Sequence, residues 1–459
     1  MASAPVELTY PDLPASVRHV LATLSNAGHE AVLVGGCVRD RLLGETPGSW
    51  DWDAATSAAP ERVAELFPGS TWENRFGTVT VRGTPPVEVT SYRTEGDYPD
   101  ARRPSTVQFG ATLGEDLARR DFTINAMAWA ASDLQAGIGT LVDPYGGRTD
   151  LEHSVLRTVG DPRLRFGEDA LRLIRAARFV GRLAMTIDPE TEAAIIELAP
   201  SVASVSAERV RDELGRILEL DPAPSGSLRL MERLGLLPAV LPELAALRGI
   251  PQAKRTPGDA LDHVLAAVDA TPLDAPLDAR MTVLLHDLGK ATTMADGHFI
   301  GHEEVGAELA ATVLDRLRVP RGRSARIVRA IRHHMYRYDP TWTDAAVRRF
   351  IRRTDDVDRV LLFAMRRADD AASGAGEVGE RLQAELERRI AAEVEQEPAL
   401  LTYRRLAVDG HDLQRSLGIG PGPHVGRILD RLTEAVLDDP SLNEPSRLLE
   451  LAREAATER

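Results

Sequence analysis

Strand-forming runs nearly vanish from about Leu151 onward. Before it, apolar strands alternate with short helices; after it come long Arg, Glu, Leu and Ala stretches with helical spacing, such as Glu168 to Leu183 and Ala207 to Leu220. A change of period on that scale predicts a mixed α/β head carried on an all-α remainder. Within the head, an amphipathic helix is expected from Pro14 to Gly28, an apolar strand over Ala31 to Val34, and a helix CVRDRLLG stopped by Gly44. A turn-rich stretch from Thr46 to Ser49 leads to a strand WDWDAAT, a helix from about Pro60 to Phe67, and β runs over Gly77 to Arg82 and Val87 to Tyr92. Farther on, Pro251 to Gly258 reads as a linker, Ser373 to Gly379 as a flexible joint, and Gly418 to Gly422 as a break between helices.

At 43% hydrophobic and 27% charged, the 459 residues have the balance of a folded chain and not of a disordered one. A single cysteine, Cys37, excludes an internal disulfide framework and a structural zinc site built on several thiolates. The start, MASAPVELTYPDLP, has no basic segment followed by an apolar one, and no apolar run approaches the roughly 20 residues that cross a bilayer. A cytoplasmic protein with no membrane partner is the expectation. The formal net charge of −15, from 55 Lys plus Arg against 70 Asp plus Glu, weighs mildly against a nucleic-acid partner. Arginines do cluster, in Arg318 to Arg332 and Arg348 to Arg353, but Lys254 and Lys290 are the only lysines. Arginine has replaced lysine throughout, so its abundance says little about RNA.

Gly35-Gly36 lies between an apolar strand and a helix, where backbone N–H groups can face a phosphate with no side chain in the way. Such a pair alone is usually a simple turn. Asp51-Trp52-Asp53 on the next strand changes the reading, because side chains at i and i+2 point to one face. Two converging carboxylates repel unless a cation lies between them, and hard oxygen ligands suit Mg²⁺. Glu88, in VEVTSY, is a candidate third carboxylate, the alternative being a solvated strand charge. This arrangement suits phosphoryl or nucleotidyl transfer by metal-assisted displacement.

The ordered series GGCVRDRLLG, DWDAAT, RFGTVTV, EVTSYRTEGDYPDARRP, RRDFTINAMA, GEDALRLIRAARF and ERVRDEL resembles the bacterial CCA-adding enzyme and poly(A) polymerase family of polymerase β-type nucleotidyltransferases. The resemblance runs through the whole chain to the segment PGPHVGRILDRL. It implies a nucleotidyltransferase head over 1–150 with a small mixed sheet and helices. A helical neck with the nucleotide-reading helix and an RNA-binding region would follow over 151–255, then a helical body over 256–372 and a helical tRNA-binding tail over 373–459. It further implies that Asp51, Asp53 and Glu88 are catalytic, with Mg²⁺ on the two aspartates, and that Gly35, Gly36 and Arg39 seat a triphosphate. Arg119, Arg120, Asp121 and Asn125 would handle the nucleotide's phosphates and ribose, and Arg175 and Arg178 would join the nucleotide-binding set.

On one continuous helix Asp169 and Arg172 would be i and i+3 neighbours, an arrangement that elsewhere is usually a surface ion pair. In this family's motif it resembles a protein template for the incoming base. An acceptor beside a donor matches the amino group and ring nitrogen of cytosine or adenine; uracil and guanine reverse the pattern. The family often carries proline where this chain has Ala170. Arg93 to Pro104 resembles the flexible loop used in turning from C to A addition, against the alternative of inert surface.

His263, His286-Asp287, His302, His333-His334 and Asp369 fall on successive predicted helices, in a chain with 11 histidines. With LLHDLGK around His286 they resemble the HD superfamily of metal-dependent phosphohydrolases. Imidazoles and carboxylates of this kind can hold one or two divalent transition ions and activate a bound water. The expected protein is therefore a CCA-adding tRNA nucleotidyltransferase with an HD phosphohydrolase domain, whose partners are tRNA, CTP and ATP and which is a monomer or homodimer. The alternatives are a poly(A) polymerase, or an HD hydrolase with a regulatory nucleotide-binding head. The stretch AAPERVAELFPGSTWENRFGTVTV lacks the basic run that bacterial poly(A) polymerases usually carry there, which ranks that alternative second.

Overall fold

A computed structural model describes residues 6–45, 51–73, 77–95, 107–252, 257–396 and 406–457. The chain forms two compact units, Met1–Ala245 and Ala246–Arg459.

The first unit is built on an eight-stranded sheet in the order β1 (Val6–Thr9), β10 (Ile138–Val142), β9 (Ala128–Asp133), β2 (Ala31–Val34), β3 (Trp52–Thr56), β6 (Val87–Ser91), β5 (Thr78–Val81), β4 (Thr71–Glu73). Four of these strands were legible from apolar patterning; β1, β4, β9 and β10 add to them. All neighbours are antiparallel except β3 and β6, whose parallel register sets Asp53 opposite Glu88. That single parallel pair therefore brings two acidic positions, 35 residues apart in sequence, onto adjacent strands. Arg93–Glu95 (β7) pairs with Val107–Phe109 (β8); the rest of the loop expected over Arg93 to Pro104 lies outside the described residues, as do Thr46 to Ser49.

Helices α1 (Ala15–Asn26), α2 (Gly36–Leu42), α3 (Pro60–Leu66) and α4 (Leu113–Ala118) pack around the sheet. On one face, Val32, Val34, Ala55 and Ala128 of the strands bury Tyr92 and Leu117. Then come α5 (Gly147–Glu152), α6 (Pro162–Glu168), α7 (Leu171–Leu183), α8 (Pro189–Leu198), α9 (Ala207–Leu220), α10 (Pro224–Arg233), α11 (Leu237–Val240) and α12 (Pro242–Ala245). After Leu151 the strand structure among the described residues is reduced to a short parallel pair, Val155–Leu156 (β11) and Thr186–Ile187 (β12).

The second unit is helical throughout its described residues: α13 (Ala260–Ala270), α14 (Leu277–Leu285), α15 (Lys290–Thr293), α16 (His302–Arg316), α17 (Arg321–Arg332), α18 (Asp344–Arg353), α19 (Arg359–Ala372), α20 (Gly376–Gln396), α21 (Gly410–Leu417), α22 (Pro423–Asp438) and α23 (Pro445–Thr457). The joint expected at Ser373 to Gly379 is a tight turn. Gly374, at φ +75°, and Ala375 donate to the carbonyls of Ala371 and Asp370, and α20 starts at once. The break at Gly418 to Gly422 does separate two helices, α21 and α22, which pack with α23 on Leu413, Val425, Leu432 and Leu448. Among the described residues no helix is long and apolar enough to cross a membrane.

Candidate functional sites

The head site begins at the bend between β2 and α2. Gly35 caps α2 with φ +73° and ψ −128°, a conformation that favours glycine. A methyl group there would lie 3.0 Å from Arg120 Nη1 and 3.8 Å from Asp53 Oδ2. The glycine bend, an arginine and the strand carboxylate thus meet at one point. Burial pushes the Asp53 carboxyl up to about 7; the Arg120 and Arg39 charges oppose this, and Glu88 and Asp51 add to it. β3 begins at Trp52, so Asp51 stands just before the strand, exposed, as Glu88 is on β6. A half-buried carboxylate with two acidic and two arginine neighbours offers hard oxygens that fit a divalent cation.

Around this point the cations are tied down. Arg39 donates through Nε to Asp40 at 2.7 Å and through Nη1 to Asn125 Oδ1 at 2.7 Å. Asn125 donates to Asp121 Oδ1 at 3.1 Å, and Asp121 Oδ2 accepts from Arg175 Nε at 2.8 Å. Burial alone would raise the Asp121 carboxyl, but Arg175, Asn125 and Arg172 outweigh it and hold it well below the usual carboxylate range. Phe179 underlies this network: the guanidinium carbons of Arg39, Arg175 and Arg178 lie 5.2, 5.3 and 4.3 Å from its ring centre. Arg178 in turn donates to Glu213 on α9, which is fully buried.

The helix expected over Glu168 to Leu183 is interrupted. Asp169 is extended, at φ −150° and ψ 102°, so α6 ends at Glu168 and α7 begins at Leu171. Asp169 and Arg172 are therefore not an i, i+3 helix pair. Asp169 accepts from Arg209 at 2.6 and 3.1 Å, while Arg172 donates to Glu168 at 2.6 Å and to the carbonyls of Arg165 and Arg119. At the break the Asp169 carboxylate accepts from the Leu171 N–H at 3.1 Å, a local side-chain-to-backbone bond that competes with a continuous helix.

In the second unit the metal-ligand candidates fall into two sets, His263, His286 and Asp369, and Asp287, His302 and His334. Asp287 joins them: Oδ2 is 3.6 Å from His263 Nε2 and 3.2 Å from His286 Nε2, and Oδ1 is 3.5 Å from His302 Nε2. The expectation of ligands on successive helices holds for His263, His302 and Asp369 but not for His286-Asp287 or His333-His334, which lie just past helix ends. His286 follows the end of α14, His302 opens α16, and His334 lies two residues past α17. Those three rings share one device: each Nδ1 is 2.6 to 2.7 Å from the carbonyl three residues upstream, of Val283, Phe299 and Ile331. A carbonyl only accepts, so Nδ1 carries the hydrogen and Nε2 keeps its lone pair.

The consequence is electrostatic. His302 Nε2 and His334 Nε2 face each other at 3.2 Å, and His286 Nε2 is buried with no hydrogen-bond partner among the described residues. Burial holds the His334 ring pKa down to about 3, so a proton does not relieve the contact near neutrality. Converging lone pairs with carboxylates beside them fit a divalent transition ion, as does the backbone anchoring of each ring. His333, the residue capping α17, belongs to neither set, because adjacent side chains at a helix end diverge.

A family model of the poly(A) polymerase head domain matches residues 31–157, one described as the probable RNA and SrmB-binding site of polymerase A matches 184–247, and the HD domain matches 262–374. The A-adding tRNA nucleotidyltransferase of Deinococcus radiodurans is 36% identical over 421 residues, covering 88% of this chain and 91% of that protein. The CCA-adding enzyme of Geobacillus stearothermophilus is 34% identical over 433 residues, 94% of each. The chain belongs to the CCA-adding enzyme and poly(A) polymerase family. A crystal structure of the Bacillus stearothermophilus CCA-adding enzyme in complex with CTP matches it with a TM-score of 0.70 at 29% identity, covering 96% of this chain and 97% of that one. The Thermotoga maritima CCA-adding enzyme complexed with tRNA, at a TM-score of 0.54 and 20% identity, shares the fold.

For this member of the family, the head brings together Gly35, Asp53, Arg120 and, in a connected network, Arg39, Asp121, Asn125 and Arg175. Sequence reasoning missed Asp116, Phe179, Arg209 and Glu213. Asp116 had a readable spacing, three and four residues before Arg119 and Arg120, and Arg209 and Glu213 lie within the quoted ERVRDEL. The arginine runs that raised the question of RNA are paired within the second unit: Arg323 with Asp278, Arg326 with Asp358, Arg332 with Glu304, Arg348 with Glu393 and Arg349 with Glu434. Their positive charge is largely offset by these carboxylates.

Proposed function

We propose that the protein adds CMP and AMP to the 3′ end of tRNA, using CTP and ATP and releasing pyrophosphate. The observation that carries this reading is the convergence of Asp53, its acidic neighbours Asp51 and Glu88, and the Gly35 bend with Arg120 over it. Asp51 and Asp53, with Glu88 beside them, would hold Mg²⁺, which when bound makes the tRNA 3′-hydroxyl easier to deprotonate and offsets charge on the departing pyrophosphate. Arg39, Arg119 and Arg120 hold the triphosphate oxygens, and Gly35 and Gly36 let those oxygens approach the backbone. Asp121 and Asn125 bond the ribose; Arg175 and Arg178 keep that wall of the site cationic. Asp169 accepts from the exocyclic amino group of cytosine or adenine, and Arg172 donates to the adjacent ring nitrogen. UTP and GTP are refused because their carbonyl would face the Asp169 carboxylate and their ring N–H the Arg172 guanidinium, acceptor against acceptor and donor against donor.

The domain plan that goes with this reading is a head over 1–150, a neck over 151–255, an HD body over 256–372 and a tail over 373–459, with body and tail along the tRNA. His263, His286, Asp287, His302, His334 and Asp369 would hold one or two divalent transition ions for phosphate-ester hydrolysis. The working location is the cytoplasm. Product analysis on a tRNA lacking its last three nucleotides tests the main reading, with CTP alone, ATP alone and both. CC from CTP and CCA from the mixture are expected; long tails from ATP with CTP never incorporated would overturn it. Because the Deinococcus relative is named A-adding, a second substrate ending in CC separates full CCA addition from addition of the terminal A only.

A further inference from the structure

We propose that Asp116 is the positioning residue of the triphosphate seat, holding Arg119 and Arg120 as a paired fork in line with Asp53. This rests on the nucleotidyltransfer reading above. Asp116 is fully buried, yet it is a carboxylate. Oδ1 accepts from Arg119 Nε at 3.0 Å and Nη2 at 2.6 Å, and Oδ2 lies 3.3 Å from Arg120 Nη2. One buried anion therefore fixes two guanidinium groups on consecutive residues. Arg120 extends from this grip to the Gly35 bend: Nη1 bonds the Asn125 carbonyl at 3.4 Å and occupies the space a Gly35 side chain would need. Its Nε is buried without a hydrogen-bond partner among the described residues.

Asp116 itself stands on a fixed support. α4 starts with a reciprocal capping box between Thr112 and Glu115, and the next residue, Leu117, is buried against Val32, Val34, Ala55 and Ala128. Those residues belong to β2, β3 and β9, with β2 leading into the glycine bend and β3 carrying Asp53. The packing of Leu117 thus sets the carboxylate, and through it the arginine fork, in register with the strand acid. Without the anion, two neighbouring guanidinium groups would repel each other and separate. A charge-assisted bidentate grip on phosphate needs both groups in place before the nucleotide arrives.

The test is steady-state kinetics of Asp116→Asn, which keeps the shape and removes the charge. The expected result is a KM for CTP and for ATP raised about tenfold, with the inhibition constant of pyrophosphate raised by a similar factor and the KM for tRNA unchanged. A residue that only supports the fold would lower kcat by shrinking the active fraction and leave both nucleotide constants where they were; that outcome overturns the proposal. If Asp116→Asn does not fold, Arg120→Lys keeps Asp116 and the charge but breaks the fork, and it should raise the same two constants; unchanged constants overturn the proposal equally. Wild-type protein that adds no nucleotide at all refutes the nucleotidyltransfer reading, and the inference with it, before any variant is made.

Discussion

Asp121 shows how a buried charge is held in this head. Its carboxyl loses solvent but gains two bonds from Arg175 and one from Asn125, and its pKa is depressed in the folded chain. A depressed carboxylate stabilises the fold fully above its unfolded value, about 3.9. That contribution is lost as pH falls from there toward the folded value. Stability should therefore hold from pH 7 to about 4 as far as this group is concerned, and fall below it. Asp121→Asn should cost about 3–5 kcal/mol at pH 7, since it strands Arg175, and should flatten the acid limb. Denaturant titrations of both proteins at pH 7, 5 and 3 would show this; an equal acid loss in the variant would refute it. The identity of such residues was legible, because Asp and Asn beside Arg in RRDFTINAMA name the chemistry. Their partners were not: Arg175 lies 54 residues away on α7, and only folding sets that distance.

The break between α6 and α7 and the ends of the HD helices are features of elements, and here sequence periodicity misleads. Glu168 to Leu183 has no proline, and its one glycine, Gly181, lies near the far end, so a continuous helix was the natural reading. At the break an aspartate carboxylate turns back onto Leu171 N–H instead. Ala170 now has φ −64° after an extended residue, which is the backbone that proline and its predecessor prefer. Ala170→Pro should leave nucleotide addition intact and raise stability by about 0.4–1 kcal/mol. A melting temperature that falls would contradict it. In the HD unit, the ligand residue types were readable and their placement at helix ends was not, since the Nδ1 anchors are backbone carbonyls that every sequence contains. His334→Ala should abolish the stabilisation produced by Zn²⁺, Ni²⁺ or Mn²⁺, expected at about 2.7 kcal/mol when the ion is at a hundred times its Kd. His333→Ala should keep it. Thermal denaturation with each ion in turn distinguishes the neighbours, and equal losses in both variants would undo the assignment of ligands.

Across the whole molecule, each site is assembled within one compact unit. The head site draws on residues from Gly35 to Glu213, all before Ala245, and the HD site on residues from His263 to Asp369, all after Ala246. The division after Ala245 lies close to the linker legible at Pro251 to Gly258, whereas the change of period near Leu151 falls inside the first unit. The helices from α5 to α12 pack with the sheet unit because α7 and α9 supply the partners of the head's charged network. Two sites with no shared side chain should fail separately. Asp53→Ala should reduce nucleotide addition at least about 10²-fold, as expected for loss of a metal-holding group at the reacting centre, and leave hydrolysis of bis(p-nitrophenyl) phosphate with added Ni²⁺ unchanged. His286→Ala should do the reverse, since its Nε2 is one of the converging lone pairs of the HD set. Measuring both activities on both variants gives four numbers that must fall in a crossed pattern. Hydrolysis lost with Asp53→Ala, in protein that still melts at the wild-type temperature, would mean that the HD set is not the hydrolytic centre, and the separation of activities between the two units would have to be abandoned.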